Sequence, residues 1–469
     1  MMPRFRTVFI VGMALLGVSQ VIMLNLPQIV QTQISDFFFH LSYSASIIAN
    51  GRVLVATPND HMYFPSAYVL GALFNDVTSG NLLYGSVVIY ATAVLLYSFV
   101  LFRLFRSLTG SPLLSMAAVS FGLITNTAEV WYPSPEALSI LFLSTFLLLI
   151  WEKRFNLALI SFFILLTADP LYSILGVFIA TYLVFIRKLS GSPAFQVPIR
   201  FVVQLGLLQL AYLAFVGTFV VSGTSGLLLN LSSLFSSTVG FLTAGATTNL
   251  SVSSAILPWS LFALAGEVLV QPVYYIIGLL AGLYLVAQLS SLLLRRKSAG
   301  TDLAVVCGIV VIGALPLLVF PPAPGFDLRG RYLGVVYPFL VPSAIALLSK
   351  VRFKNSVSPK KLAVTALLVL GLLWMPYLSI RVAYQSSTGT NIYDVSAAAF
   401  VVNHGMANSL AYNPTFEAAY SYLSHSDYSA VISSIGLSGL AISTCPDIMS
   451  CISKAIIFDD GTALTVNLA

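Results

Sequence analysis

Ser35-Asp36-Phe37-Phe38-Phe39-His40-Leu41-Ser42-Tyr43, closed by Ala49-Asn50-Gly51-Arg52, is the stretch that decides how this chain is built. It follows soon after an apolar run, Thr7–Leu26, which Arg4 and Arg6 precede. An acid placed so soon after a span belongs at a membrane face. If Ser35 to Ala49 forms an interfacial helix, Asp36 and His40 share one face at i and i+4. Ser35 can cap such a helix and Gly51 can end it. Phe37, Phe38, Phe39 and Tyr43 suit the headgroup layer. A carboxylate there can take the proton of a hydroxyl or bind a divalent cation. Alternatively, Asp36 only starts the helix and stays hydrated.

The rest of the chain supplies the membrane. Of its 469 residues, 58% are hydrophobic and 8% charged, where a soluble globular protein carries about 25% charged residues. The mean hydropathy is +0.94. This excludes a soluble enzyme, a nucleic-acid-binding domain and a disordered chain. The apolar runs are about 18 to 22 residues long rather than alternating stretches of about 10, so helices do the spanning. The expected fold is an all-α polytopic membrane protein with eleven transmembrane helices. The segments are Thr7–Leu26, Leu82–Phe102, Pro112–Thr127, Ala137–Trp151, Phe155–Thr167, Leu171–Phe185, Phe201–Val221, Tyr274–Leu294, Leu303–Phe320, Leu333–Leu348 and Leu362–Ile380. The short ones are broken, re-entrant or paired as hairpins. The first lacks a clear A-x-A cleavage site and reads as a retained helix, not a signal peptide.

Charge fixes the polarity. With the N-terminus cytoplasmic, all of the 22 Lys and Arg fall inside except Arg52, Arg329, Arg331, Arg381 and Lys454. Of the 16 acids, only Glu152 and Asp302 fall inside. One polarity satisfies every loop, as the positive-inside rule demands. The net charge of +6 is therefore a set of cytoplasmic anchors, and no nucleic-acid partner is expected. The expected location is the plasma membrane, with the C-terminus extracytoplasmic.

Residues 1–380 read as the membrane domain, with outer loops at about 27–81 and 222–273. The second loop carries the sequons Asn230-Leu-Ser and Asn249-Leu-Ser. Residues 381–469 are more polar and read as a small extracytoplasmic domain of α/β or mixed character. In it Asn391–His404 and Pro414–Ser424 look helical and Lys454–Phe458 looks like a strand. Cys445 and Cys451 are there either a disulfide or two free thiols. The third cysteine, Cys307, lies inside an apolar run.

The chain has no G-x-x-x-x-G-K-[ST], no H-E-x-x-H and no G-x-S-x-G. Its cytoplasmic loops are too short for a nucleotide domain, so any chemistry sits at the membrane, on the outer face. Asp60-His61 offers an acceptor or metal site, or a polar loop. Glu129 and Glu136 flank Trp131-Tyr132-Pro133, a sugar-stacking corner or a helix-to-helix turn. Asp169 before Pro170 is a second acid of the site or a helix-starting Asp-Pro. In Asp327-Leu328-Arg329-Gly330-Arg331-Tyr332-Leu333, followed by Tyr337-Pro338, two scarce outer arginines sit together. A guanidinium offers a two-pronged fork to phosphate oxygens. The plainer role is snorkelling to phospholipid headgroups.

Taken together, these segments resemble the C-type superfamily of membrane glycosyltransferases, GT-C, which use sugars carried on a polyprenyl phosphate or diphosphate. In that superfamily an acid opens the first outer loop. A short helix, a glycine turn and a Tyr/Pro-rich entry to the next helix follow. Asp36, His40, Gly51, Tyr63, Pro65 and Tyr68 stand at those places. The run Phe102 to Ser111 and Tyr132-Pro133-Ser134-Pro135-Glu136 match in style. The resemblance covers about Thr7 to Phe185 and the Arg331-Tyr332 motif. It implies inverting sugar transfer with Asp36 as base or acceptor-orienting carboxylate. It implies a polyprenyl-phosphate donor held by Arg331 with Arg329 and Tyr332, and a lipid, glycan or protein acceptor. The candidate cofactor is a divalent cation, Mg or Mn, for which His40, Asp60, His61, Glu129, Glu136 and Asp169 are candidate ligands or acceptor contacts. Asp36 and Arg331 are expected to meet at one membrane-surface crevice.

The four tryptophans are never adjacent, so the Trp-Trp-Asp motif of oligosaccharyltransferases is missing. Asp36-Phe37 stands where protein O-mannosyltransferases carry Asp-Glu. Two rival readings remain: a lipid or solute transporter or flippase, and a non-catalytic assembly subunit. Intramembrane charges mark transport paths, and here the acids gather at the outer edge instead.

Overall fold

A computed structural model describes residues 12, 18, 32–33, 35–53, 65–78, 80, 82–126, 135–190, 197–220, 275–291, 301–319, 328–350, 390–391, 402, 441–444, 455–458 and 464–467. These are mostly helical. In chain order the elements are β1 (Thr32–Gln33), α1 (Ser35–Asn50), α2 (Ser66–Val77), α3 (Leu82–Thr109), α4 (Pro112–Asn126), α5 (Pro135–Trp151), α6 (Phe155–Ala168), α7 (Pro170–Ser190), α8 (Ile199–Val220), α9 (Tyr275–Ser291), α10 (Thr301–Val319), α11 (Leu328–Lys350), β2 (Thr390–Asn391), β3 (Ala441–Thr444), β4 (Ala455–Phe458) and β5 (Leu464–Asn467). Each predicted apolar segment from Leu82 to Leu348 is helical over its described residues. Thr7–Leu26 and Leu362–Ile380 lie outside the described residues, apart from single helical positions at Gly12 and Val18. Among the described residues α3 alone is long and apolar enough to cross a membrane by length and composition.

The chain divides into two compact units. The larger comprises Met1–Gln20, Ala91–Trp131 and Glu136–Ala383; the smaller comprises Val21–Tyr90, Tyr132–Pro135 and Tyr384–Ala469.

In the larger unit, α11 packs on α4 and α10, α10 on α7, and the α6–α7 hairpin on α8. Aromatic rings tie these layers: Phe105 meets Phe339 at 5.1 Å, and Phe146 lies between Phe162 at 5.7 Å and Phe201 at 6.3 Å. Gly122 lets α4 approach α3 and α11, because a Cβ there would stand 2.6 Å from Leu101 Cδ1 and 3.4 Å from Pro338 Cγ. Outward, the helices show apolar stripes at helical spacing: Leu157, Ile160 and Phe163 on α6; Ile199, Val203, Leu207 and Leu210 on α8; Leu279, Leu283 and Val286 on α9. Apolar surface this extensive needs a nonaqueous covering, and lipid supplies it. Hydroxyls inside these helices bond back to their own carbonyls: Ser98 to Val94 at 2.8 Å, Ser120 to Met116 at 2.9 Å, Thr181 to Val177 at 2.7 Å. In hydrocarbon every polar group must find such a partner internally.

The connections between these helices are tight and chemically specified. Ser111 caps α4, its hydroxyl accepting from Leu114 N–H at 3.4 Å, with Pro112 at the first helical position. The α5–α6 turn closes α5 with Lys153 N–H donating to the Ile150 carbonyl at 3.0 Å and Arg154 N–H to the Leu149 carbonyl at 2.8 Å. That is a Schellman closure, and its left-handed residue is ordinarily glycine. Here Lys153 holds φ at 60°. Glu152 receives Arg103 Nε at 2.6 Å and faces Arg154 Nε at 3.5 Å. Both arginines are about half exposed, so these pairs add little stability. Lys153→Gly removes the left-handed strain and is expected to stabilise by about 1 kcal/mol. Lys153→Val, β-branched at the same φ, is expected to destabilise by at least as much. Thermal midpoints in detergent check both, and equal midpoints for the two variants would refute the strain.

In the smaller unit, α1 and α2 pack together, and the first residues of α3 pack beside Phe74 of α2 and its C-cap Thr78 at Gly85. β1 pairs antiparallel with β2, Thr32 opposite Asn391, so the entry to α1 is stitched to the start of the C-terminal region. A second sheet runs β3-β5-β4, antiparallel throughout. Its strand β4 falls on the predicted Lys454–Phe458. Asn391 is in a strand and Val402 is helical; the rest of Asn391–His404, and all of Pro414–Ser424, lie outside the described residues.

Candidate functional site

Helix α1 has the predicted limits. It starts at Ser35 and ends before Gly51, whose φ of 66° suits glycine and whose N–H donates to the Ile47 carbonyl at 2.8 Å. Its described side chains are largely packed against protein. Every residue from His40 to Ile47 is buried, as is Phe38, and among the side chains described on this helix only Ile48, Ala49 and Asn50 emerge. Helix α1 is thus covered by protein along most of its described side chains. Ser42, Ser44, Ala45 and Ser46 are small, which allows neighbouring elements to close in where a surface helix would carry long polar chains.

The closest approach is to α2. A Cβ on Gly71 would stand 2.6 Å from Ser44 Oγ and 3.2 Å from Ser44 Cβ. One turn earlier on each helix, Tyr68 faces His40. His40 Nδ1 and the Tyr68 hydroxyl share a buried hydrogen bond of 2.9 Å, with the rings stacked at 5.8 Å and 20°. Tyr43 packs on Tyr68 with centroids 4.9 Å apart. His40 is 5% exposed and Tyr68 2%. Asp36, placed by its backbone, occupies the first turn of α1, one turn before His40. A carboxylate in a first turn is favoured by the helix dipole.

The remaining candidates are distributed as follows. Glu136 stands in the first turn of α5 with its Oε2 buried. Asp169 is 6% exposed, in extended conformation between α6 and α7, and directly precedes Pro170 at the start of α7. It therefore occupies the helix-starting Asp-Pro position. Arg329, Arg331 and Tyr332 are placed by their backbone in the first turns of α11. Arg331 belongs to the larger unit and Asp36 to the smaller. Asp60, His61, Glu129, Cys445 and Cys451 lie outside the described residues. Cys307 is a buried free thiol in α10. Among the described residues no three His, Cys, Asp or Glu side chains group to hold a metal ion.

No protein-family model matches the chain, and no curated protein matches it by sequence. Solved structures match its fold. ArnT from Cupriavidus metallidurans, bound to undecaprenyl phosphate, aligns over 100% of this chain and 99% of its own, with TM-score 0.53 and 11% identity. The oligosaccharyltransferase AglB from Archaeoglobus fulgidus, in complex with an inhibitory peptide and a dolichol-phosphate, aligns over 90% of this chain with TM-score 0.54 and 13% identity. The present chain spans 64% of that protein's length. The chain has a GT-C fold. Together with its composition, that fold makes it an integral membrane protein.

Sequence reasoning placed Tyr68 in the GT-C pattern without giving it a role. The bond to His40 joins positions 28 apart, and no local periodicity reports such a contact. The available signal was Gly71, a residue without a side chain one turn after Tyr68, within the apolar run Val69–Phe74.

Proposed function

We propose that this protein is an inverting glycosyltransferase. It moves a sugar from a polyprenyl-phosphate donor to a hydroxyl-bearing acceptor at the extracytoplasmic face. The GT-C fold, carrying an acid in the first turn of the helix that opens the first outer loop, is the observation that supports this reading. Similar folds hold dolichol-phosphate and undecaprenyl phosphate in AglB and ArnT.

In the proposed step the acceptor oxygen attacks the anomeric carbon from the face opposite the leaving group. The new C–O bond forms as the anomeric carbon–phosphate oxygen bond breaks. The Asp36 carboxylate takes the acceptor's proton, and the electron pair leaves with the polyprenyl phosphate. Arg331 receives the charge gathering on that phosphate as a two-pronged donor. Its position supports the role. Basic residues in the first turn of a helix work against the helix dipole, so Arg329 and Arg331 at the start of α11 are better explained by an anion than by helix stability. Helix N-termini themselves favour phosphate. The N-terminus is cytoplasmic and the C-terminal region extracytoplasmic in this reading.

The test is to incubate the purified full-length protein with labelled polyprenyl-phosphate sugars and a panel of lipid, glycan and peptide acceptors. Expected is release of unlabelled polyprenyl phosphate with label on one acceptor class in the inverted configuration. Absence of transfer from every donor, with the protein monodisperse, would refute the reading.

A further inference from the structure

We propose that Tyr68 is a positioning residue. Through its hydrogen bond to His40 it holds the imidazole over the turn of α1 that carries Asp36, and so keeps the base in its working orientation. This rests on the reading of Asp36 as the base. A helical side chain leans toward the N-terminus of its helix and covers the turn before its own. His40 therefore leans toward the first turn of α1, where Asp36 stands. The imidazole is not left to find its own rotamer. Nδ1 is bonded to the Tyr68 hydroxyl at 2.9 Å, the rings are stacked, and Tyr43 buttresses Tyr68 from its other neighbour on α1. Either Nδ1–H donates to the phenol oxygen or the phenol O–H donates to a bare Nδ1, and in both cases the bond fixes the ring plane.

The bond depends on how closely the helices approach. Gly71, one turn beyond Tyr68, carries no Cβ, and one built there would meet Ser44 Oγ at 2.6 Å. Ser44 is one turn beyond His40. Adding a methyl group at Gly71 therefore pushes α2 away from α1 at the turn next to the Tyr68–His40 pair. Trimming Ser44 to alanine removes the nearer of the two atoms in conflict and leaves Ser44 Cβ at 3.2 Å. The pair is thus adjustable from outside itself, by a steric change that leaves both of its side chains in place.

The experiment uses the purified full-length protein and the donor–acceptor assay, with thermal midpoints measured alongside. Tyr68→Phe is expected to lower kcat by about 10- to 100-fold, the cost of a misplaced catalytic group, with donor KM within about 2-fold. The double variant Tyr68→Phe with His40→Asn is expected to be no slower than His40→Asn alone, because one residue acts through the other. Gly71→Ala is expected to lower kcat, and Ser44→Ala added to it to restore kcat in part. A purely structural role would instead move the midpoint and leave the double-variant losses multiplying. Wild-type kcat in Tyr68→Phe, or independent losses in the double variant, would overturn the proposal. Asp36→Asn in the same series reports on the base separately. If that variant transfers sugar at the wild-type rate, the base reading falls, and the double-variant comparison still decides whether Tyr68 acts through His40.

Discussion

Asp36→Asn is expected to leave a folded, inserted protein that no longer transfers sugar. The amide has the shape of the carboxylate but cannot accept the acceptor's proton. A positioned general base contributes about 10²- to 10⁴-fold, so kcat should fall by about 10³-fold. Donor KM should stay within about 2-fold, because the lost interaction belongs to the transition state at the acceptor. Stability should change little. A first-turn acid is worth about 0.3 to 1 kcal/mol against the helix dipole, whereas α1 is held by burial from His40 to Ile47 and by its contact with α2. Steady-state transfer, with the thermal midpoint as control, measures both sides of the claim. Turnover near wild type would remove Asp36 from the mechanism. A large fall in midpoint would make it a structural acid.

The parts of the fold written in apolar runs were legible from the sequence. The helices from Leu82 to Leu348 follow from uninterrupted hydrophobicity, and the limits of α1 from Ser35 and Gly51. What was not legible is what covers each surface. Phe38 and Tyr43 suit a headgroup layer and a protein interior equally, and only the arrangement of neighbours makes them interior. Lys153 gave no sign of a left-handed residue, because the closure of α5 is set by the backbone bonds to Leu149 and Ile150 and by the short reach to Phe155. Asp169-Pro170 was legible as a helix start, but not as a buried one. The Tyr68–His40 bond joins two helices across 28 positions of sequence, and no spacing rule encodes it.

Arg331 carries the second large expectation, and it separates donor binding from proton transfer. A charge-assisted hydrogen bond to a phosphate is worth about 1.5 to 3 kcal/mol, and each 1.4 kcal/mol is a factor of about ten in affinity. Arg331→Gln should therefore raise donor KM by about 10- to 100-fold. It should also slow kcat, since charge on the phosphate grows as the bond breaks. Arg331→Lys should fall between the two, because an ammonium keeps the charge but not the planar fork. The same variants should leave acceptor KM alone, the opposite signature to a fault at Asp36. Arg329 supplies the internal comparison: it sits two residues earlier in the same first turn, and a general attraction for lipid headgroups would make the two arginines interchangeable. If Arg329→Gln and Arg331→Gln give equal, small changes in donor KM, both are snorkelling anchors and the donor phosphate is held elsewhere. If only Arg331→Gln weakens the donor, the guanidinium is specific. The cost of placing a cation at the positive end of α11 then has its explanation in the phosphate it meets.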